Sequence, residues 1–188
     1  MNPLDGSELR NSDTLVVGGT GNVGFYLVDG FIRAGSARVI VPTRSSERPE
    51  RLLQRLGPEK AQRIKPILDD VGSVDGARRI RDEVAAVSGE LGAVVASLAS
   101  WHQSSSMLRA GFADFRTVID TRLYPHFLAA ETFVPLLAPD GAYTAINGPA
   151  AFAGLPQPAY WGDLCNRSGA EPPHPGGSCR NARTSPGE

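Results

Sequence analysis

The amino-acid sequence predicts an α/β fold in which a doubly wound parallel sheet of about five strands carries helices on both faces. Three observations predict it. Short apolar runs alternate with segments whose apolar residues recur at helical spacing. The first apolar run ends in a cluster of glycines, and no second apolar core follows residue 155. Right-handed crossovers then place successive strands parallel to one another in a single sheet.

Each predicted strand is a short apolar run that a parallel sheet would bury on both faces. Valine, isoleucine, leucine and alanine dominate these runs. The third run contains Pro66, which cannot donate a hydrogen bond to a neighbouring strand. The five predicted strands span residues 15–17, 38–41, 64–68, 91–98 and 142–146.

The segments between these strands have the periodicity of amphipathic helices. Gly35 suits the end of the first helix, and Gly57-Pro58 is a stop signal after the second. The last helix is the longest, and we expect a bend near Pro125 because proline lacks the backbone donor. The predicted helices span residues 23–34, 48–56, 74–87 and 112–137.

The chain changes character after residue 155. Residues 156–188 contain six prolines and five glycines among 33 residues, one leucine, and no valine, isoleucine, phenylalanine or methionine. Such a segment buries too little apolar surface to offset the entropy of ordering it. We therefore predict a folded domain over residues 13–155, a flexible N-terminus over residues 1–12, and a disordered Pro/Gly-rich tail over residues 156–188.

Charge and composition exclude several classes of partner. The net charge of -1 gives no reason to expect nucleic acid or an anionic membrane. No apolar run approaches the roughly 18 residues of a membrane span, and the polar N-terminus predicts a cytoplasmic location. Cys165 and Cys179 fit no zinc pattern and the three histidines are scattered, so no metal site is predicted.

The strongest chemical motif is the run LVVGGTGNVG, in which Gly18, Gly21 and Gly24 follow a predicted strand and open a predicted helix. Glycines at this spacing allow a sharp turn, close approach of the backbone to a pyrophosphate, and tight packing of the helix on the strand. Free N–H groups at the helix N-terminus face the phosphates. The predicted dinucleotide-binding residues of this loop are Gly18, Gly19, Thr20, Gly21, Asn22, Val23 and Gly24.

The glycine loop, its place near the N-terminus and the order of elements resemble the short-chain dehydrogenase/reductase superfamily over residues 13–155. The spacing is similar to the T-G-G-x-G-x-x-G loop of the extended and atypical branches, with Val17 in place of the threonine. The resemblance implies a Rossmann-like NAD(P)-binding domain. It also implies hydride transfer between the nicotinamide and a carbonyl or alcohol carbon of a small-molecule substrate that the sequence does not specify.

The resemblance assigns cofactor contacts to the ends of the second and third strands. An acidic residue that would bind the ribose of NAD is replaced by Thr43, followed by Arg44 and Ser45, which favours NADP(H) over NAD(H). Asp70 and Val71 match an acidic–apolar pair that touches adenine in the family. The alternative is that Asp70 or Ser73 caps the next helix.

At the end of the fourth strand, Ala96-Ser97-Leu98-Ala99 stands where the family commonly has N-N-A-G. The small residues keep a close backbone approach possible, although the side-chain amides are missing. Ser97 is expected either to contact the cofactor ribose or to pack at the strand end, and packing is the favoured interpretation.

The catalytic set of the family is matched poorly. The resemblance places Arg122 where an asparagine is common, Asn147 at or near the serine position, and Tyr160 at the tyrosine of Y-x-x-x-K. Leu164 then occupies the lysine position and has no charge with which to lower the pKa of a phenol. Asn147 and Tyr160 are the candidate catalytic residues, and the alternative for Asn147 is an amide that caps the strand end.

Three interpretations follow. The chain is an NADP(H)-linked oxidoreductase with an incomplete catalytic set, a non-catalytic NADP(H)-binding module or sensor, or an inactive truncated gene product whose tail comes from an out-of-frame reading. In the family, oligomers commonly form through the long helix, so a homo-oligomer through residues 112–137 is expected.

Overall fold

The computed structural model describes residues 9–98 and 107–146, without the side chains of residues 107–110. All of them lie in one compact unit that ends at Ile146. The five strands are β1 (Asp13–Val17), β2 (Arg38–Thr43), β3 (Ile64–Leu68), β4 (Leu91–Ala96) and β5 (Leu137–Ala145). They form one parallel sheet in the order β3-β2-β1-β4-β5, which confirms the predicted doubly wound α/β fold.

Helices connect the strands. They are α1 (Asn22–Arg33), α2 (Glu47–Leu56), α3 (Pro58–Ala61), α4 (Val74–Val87), α5 (Met107–Val118) and α6 (Tyr124–Phe133). The short α3 is an element that the sequence did not predict. Gly57-Pro58 does end α2, but proline is also well suited to the first position of a helix, and Pro58 begins α3.

The long predicted helix is divided into several pieces. The backbone of α5 is broken at Gly111, and a π-helical turn over Ile119–Leu123 separates α5 from α6. This turn lies directly before Pro125, where the sequence predicts a bend. The predicted helix end at residue 137 is wrong because a 3-10 turn over Val134–Leu136 leads straight into β5.

Two apolar clusters hold the helices on opposite faces of the sheet. Alternating residues of β1 belong to different clusters, since Leu15 and Val17 pack on one face and Val16 on the other. The Leu15 face is covered by side chains of α4 and α6, including Ile80 and Phe133. The Val16 face is covered by α1 and α2. This burial on both faces explains the continuous apolar character of the central strands.

Several predictions fall outside the described residues: the flexibility of residues 1–8, the domain end at residue 155 and the disordered tail over residues 156–188. Among the described helices, none is both long and apolar enough to cross a membrane.

Candidate functional site

A cleft of about 460 Å³ lies at the carboxyl ends of the strands. The strand order reverses between β1 and β4, and the cleft is built from the loops that follow these strands and β2 and β3. In open α/β sheets this position is where ligands bind. Eight of the predicted cofactor residues line it: Gly18, Thr20, Gly21, Thr43, Arg44, Asp70, Val71 and Ser97.

The glycine loop is packed too tightly for side chains at two of its positions. Gly18 has a φ of 83°, in the left-handed region, and a Cβ there would collide with the carbonyl oxygen of Ser97. A Cβ on Gly24 would collide with the carbonyl oxygen of Gly18. These glycines let α1 begin directly against β1 and β4.

The N-terminus of α1 lies beside the cleft, which its N-cap residue Gly21 lines. Its N-cap residue, Gly21, offers no side-chain acceptor, and the first turn contains no acidic residue. No described residue accepts a hydrogen bond from the N–H groups of Asn22, Val23 or Gly24. These donors and the positive end of the helix dipole suit an anionic group. The loop therefore fits the pyrophosphate of a dinucleotide.

The other predicted loop residues do not line the cleft. Asn22 lines a neighbouring cavity, whereas the side chain of Val23 is exposed. Gly19 packs inward, where a Cβ would lie 2.8 Å from Cγ1 of Val41. Ser45 lies beyond β2 and contacts Thr43.

At the end of β2, Thr43 is buried and its hydroxyl serves the local turn. The hydroxyl donates to the carbonyl oxygen of Ser45 (3.3 Å) and accepts from the Ser45 N–H (3.4 Å). Arg44 is 71% exposed, and its Nε lies 3.9 Å from Oδ1 of Asp70. Arg44 thus lies at the cleft beside a carboxylate.

The end of β3 carries two carboxylates with separate partners. Asp69 accepts two hydrogen bonds from the Arg79 guanidinium, at 2.6 and 2.8 Å. These bonds hold the pKa of Asp69 below its ordinary value. Asp70 accepts from the N–H of Gly72 at 2.9 Å.

Helix α4 is capped by Ser73, whose hydroxyl accepts from the N–H of Gly76 at 3.1 Å. The capping alternative from the sequence is therefore observed at Ser73. Asp70 instead accepts the hydrogen bond from Gly72 in the turn before the helix. It also lines the cleft, and its contact with adenine stays a prediction.

The fourth strand and the α5–α6 segment close the other side of the cleft. The N–H of Ser97 donates to the carbonyl oxygen of Val17 at 2.8 Å. Nε2 of His126 donates to the carbonyl oxygen of Leu98 at 2.7 Å, which ties α6 to the end of β4. The π-helical turn brings Asp120 and Thr121 to the cleft. Turns of this kind occur frequently at functional sites.

Sequence reasoning missed nine residues that line the cleft: Val17, Pro42, Arg48, Asp69, Gly72, Leu98, Asp120, Thr121 and Pro125. Arg48 stands only four residues after Arg44, at the start of α2, so its helical position could have indicated it. No sequence signal marks Asp120 or Thr121, because a π-helical turn shifts the helical phase. The candidate catalytic residues Asn147 and Tyr160 lie outside the described residues.

The sheet order and the cleft define a doubly wound α/β protein of the dinucleotide-binding class. The family model described as short chain dehydrogenase matches residues 13–157. The chain belongs to the short-chain dehydrogenase family, whose members are oxidoreductases that bind NAD(P). No curated protein sequence matches this chain.

Solved structures of the family share the fold. A glucose/ribitol-type short-chain dehydrogenase from Brucella melitensis superposes with a TM-score of 0.67 at 22% identity, covering 83% of this chain and 65% of that one. A short chain dehydrogenase from Salmonella enterica serovar Typhi gives 0.70 at 21% identity, covering 83% and 64%. The Pseudomonas aeruginosa RhlG/NADP complex gives 0.68 at 22% identity, covering 89% and 68%. This chain therefore spans about two thirds of each neighbour's length.

Proposed function

We propose that this chain binds NADP(H) in the cleft and belongs to an oxidoreductase that transfers hydride between NADP(H) and a carbonyl or alcohol substrate. The observation that carries the proposal is the uncapped N-terminus of α1 behind a glycine loop, at the point where the strand order reverses. When bound, the cofactor supplies or accepts the hydride at its nicotinamide ring. The residues of this chain bind and orient it.

The proposal gives each side of the cleft a role. The N–H groups at the start of α1 would bind the pyrophosphate. Asp70 and Val71 line the cleft at the carboxyl end of β3 and would contact the adenine. Ser97 lies beyond β4, on the other side of the strand-order reversal from Asp70, where it would contact the cofactor ribose or pack at the strand end. Asn147 and Tyr160 remain the candidates for orienting the substrate oxygen and for proton transfer.

The preference for NADP(H) over NAD(H) rests on the end of β2. Thr43 offers no carboxylate to a ribose 2′-hydroxyl, and its own hydroxyl is used in the local turn. Two arginines, Arg44 and Arg48, line this end of the cleft. Guanidinium groups pair well with phosphate, which supports a 2′-phosphorylated cofactor. The RhlG neighbour is itself an NADP complex.

A second candidate function is binding without turnover, as an NADP(H)-binding module or sensor. Leu164 stands where the family has lysine, and Arg122 stands where an asparagine is common. Arg122 lies in the π-helical turn next to Asp120 and Thr121, and these two neighbours line the cleft. The third candidate is a product without activity, and a test of cofactor binding distinguishes it from the other two.

One titration distinguishes these candidates. The full chain is titrated with NADPH while the nicotinamide fluorescence is followed, and NADPH oxidation is then measured on a panel of carbonyl compounds. Binding with turnover supports the oxidoreductase, and binding without turnover supports the module. If the folded chain binds neither NADPH nor NADH, both proposals fail.

We also propose that the α5–α6 segment forms the surface of a homo-oligomer. Its exposed apolar side chains include Phe112, Phe115, Leu123 and Phe127, the first of them 77% exposed. Contiguous exposed apolar patches mark interaction sites. Phe127→Glu should shift sedimentation toward monomer, whereas Tyr26→Glu, a matched exposed aromatic on α1, should not. A wild-type chain that sediments as a monomer contradicts the proposal.

A further inference from the structure

The side of the cleft opposite β2 and β3 is built from two pieces of chain that are separated in sequence. One piece is the end of β4, which contributes Ser97 and Leu98. The other is the π-helical turn with the start of α6, which contributes Asp120, Thr121 and Pro125. The width of the cleft on this side therefore depends on how firmly the two pieces are held together.

A side-chain hydrogen bond joins these two pieces. Nε2 of His126, the third residue of α6, lies 2.7 Å from the carbonyl oxygen of Leu98. A carbonyl oxygen only accepts hydrogen bonds, so Nε2 carries the proton and donates it to this bond. Nδ1 of the same ring is buried, and no described residue forms a hydrogen bond with it. Leu98 is therefore the polar partner that orients the ring among the described residues.

The backbone of His126 is itself held firmly in place. Its carbonyl oxygen accepts a hydrogen bond from the hydroxyl of Tyr143 at 3.4 Å, and Tyr143 lies on β5 beside Val94 of β4. Two and three residues further along α6, Leu128 and Ala129 are buried in the core. The donor thus projects from a rigid element, which is the condition for one side chain to fix the position of another segment.

The position of Leu98 also affects the glycine loop. The preceding residue, Ser97, donates its N–H to the carbonyl oxygen of Val17 at 2.8 Å. The carbonyl oxygen of Ser97 lies so close to Gly18 that a Cβ there would collide with it. A movement of Leu98 would therefore displace the peptide group against which the first glycine of the loop packs.

We infer that His126 is a positioning residue of the cleft, whose Nε2–H holds the end of β4 against α6 and thereby keeps the glycine loop in the arrangement that accepts the dinucleotide. This inference rests on the proposed binding of NADP(H). His126 does not itself line the cleft, so it acts through Leu98. Without the bond, the binding-competent arrangement is populated for only part of the time, and the apparent affinity falls in proportion.

Fluorescence titration of the full chain with NADPH tests this role by rescue. His126→Phe keeps an aromatic ring but removes the donor, and it should weaken NADPH binding by about tenfold. His126→Gln places an amide N–H near the position of Nε2 and should stay within about threefold of the wild type. His126→Asn carries the same amide on a shorter side chain that does not reach Leu98, so its affinity should fall like that of His126→Phe.

Ser88→Ala is the matched control. The hydroxyl of Ser88 is buried and donates to the carbonyl oxygen of Glu90 at 3.1 Å, directly after α4 and before β4, at the edge of the sheet away from the cleft. The variant removes the same kind of bond, from a side-chain donor to a carbonyl. It should lower the midpoint of urea unfolding but leave NADPH affinity within about twofold of the wild type.

The outcomes separate this inference from the proposed function. If His126→Phe binds NADPH as tightly as the wild type, or if the Gln and Asn variants bind alike, the positioning role is wrong and dinucleotide binding stands. The same holds if Ser88→Ala weakens binding as much as His126→Phe does. If His126→Phe does not fold, the comparison of Gln with Asn decides alone. If the wild-type chain binds neither NADPH nor NADH, the proposed function fails and the inference fails with it.

Discussion

Two helices begin at the same edge of the sheet, and their N-termini differ in one respect that decides what each can bind. Both α1 and α4 have glycine as their third residue, Gly24 and Gly76. A Cβ on either would collide with a carbonyl oxygen of the preceding turn. Both helices therefore start in tight contact with that turn.

The two helices differ in whether protein groups accept hydrogen bonds from the N–H groups of the first turn. At α4, Ser73 caps the helix and Asp75 lies in the first turn. At α1, Gly21 provides no cap and the first turn has no acid. A helix N-terminus is thus not by itself an anion site. The site exists only where the protein leaves the donors unused and keeps carboxylates away.

The largest expected effect comes from removing the close contact of α1. Gly24→Ala places a methyl group against the backbone oxygen of Gly18, which no side-chain movement can relieve. We expect a loss of about 3 kcal/mol in the free energy of unfolding, measured by urea denaturation, together with loss of NADPH binding.

The control for this change lies in the same helix. Gly30 has open space around its missing Cβ, so Gly30→Ala should stabilise the protein by about 0.5–1 kcal/mol. If both variants behave alike, the close approach of α1 to the loop is not a requirement of the fold.

The next largest effect should come from making α1 resemble α4. Gly21→Asp supplies a capping carboxylate, and the extended backbone at Gly21 (φ -81°, ψ 176°) suits any residue. The new Cβ would lie 3.2 Å from the carbonyl oxygen of Gly18, so the loop must shift slightly to admit it. We expect the free energy of unfolding to change by no more than a few tenths of a kcal/mol, because glycine is itself a tolerated N-cap residue and the tight contact with Gly18 opposes the gain from the cap. NADPH affinity should fall by at least about tenfold, because the carboxylate takes the donors and repels the phosphates.

Gly21→Asn separates these two causes. The amide caps the helix with nearly the same shape but carries no charge, so its effect on NADPH affinity should be smaller than that of aspartate. Unchanged affinity in Gly21→Asp, measured by fluorescence titration, would falsify the assignment of the pyrophosphate to this loop.

A smaller effect is expected from removing the cap of α4. Ser73→Ala loses the acceptor for the Gly76 N–H and should lower the free energy of unfolding by about 1 kcal/mol. NADPH affinity should stay within about twofold of the wild type, because the α4 terminus does not bind phosphate. A marked loss of affinity without loss of stability would show that the two termini act on one ligand.

The smallest effect concerns the ion pair that links α4 to β3. Arg79 holds the pKa of Asp69 below its ordinary value of 3.8, so the pair stabilises the fold fully above that value and loses its contribution as the pH falls through the lower, folded-state pKa. Arg79→Gln should therefore destabilise the protein slightly at pH 7. The difference from the wild type, measured by urea unfolding, should shrink as the pH is lowered below about 4. A difference that persists unchanged at low pH contradicts this role for the ion pair.

Much of the fold could be predicted from the sequence because the central strands are buried on both faces. A continuous apolar run such as Val39–Val41 is not expected on the surface and therefore indicates a buried strand. The glycines after β1 indicated the turn into α1. The last helix was predicted four residues too long. Its apolar residues continue into Leu136 and Leu137, and periodicity does not distinguish a helix end from the start of a buried strand.

Some residues of the candidate site could likewise be predicted from the sequence, and others could not. Loop residues that follow a strand in the chain, such as Arg44 and Asp70, could be placed at the sheet edge from their position alone. Asp120 and Thr121 could not, because a π-helical turn changes which side chains face the cleft.

By itself, the sequence determined the α/β class, the glycine loop between β1 and α1 and the resemblance to the dehydrogenases, because periodicity and glycine spacing are local properties of the chain. The tertiary structure alone decided which donors remain free, that Asp70 lies beside Arg44, and that Arg48 joins two cavities. Those facts depend on how α1, α2 and the strand ends pack against one another. Residues distant in sequence come together only when the strands and helices assemble.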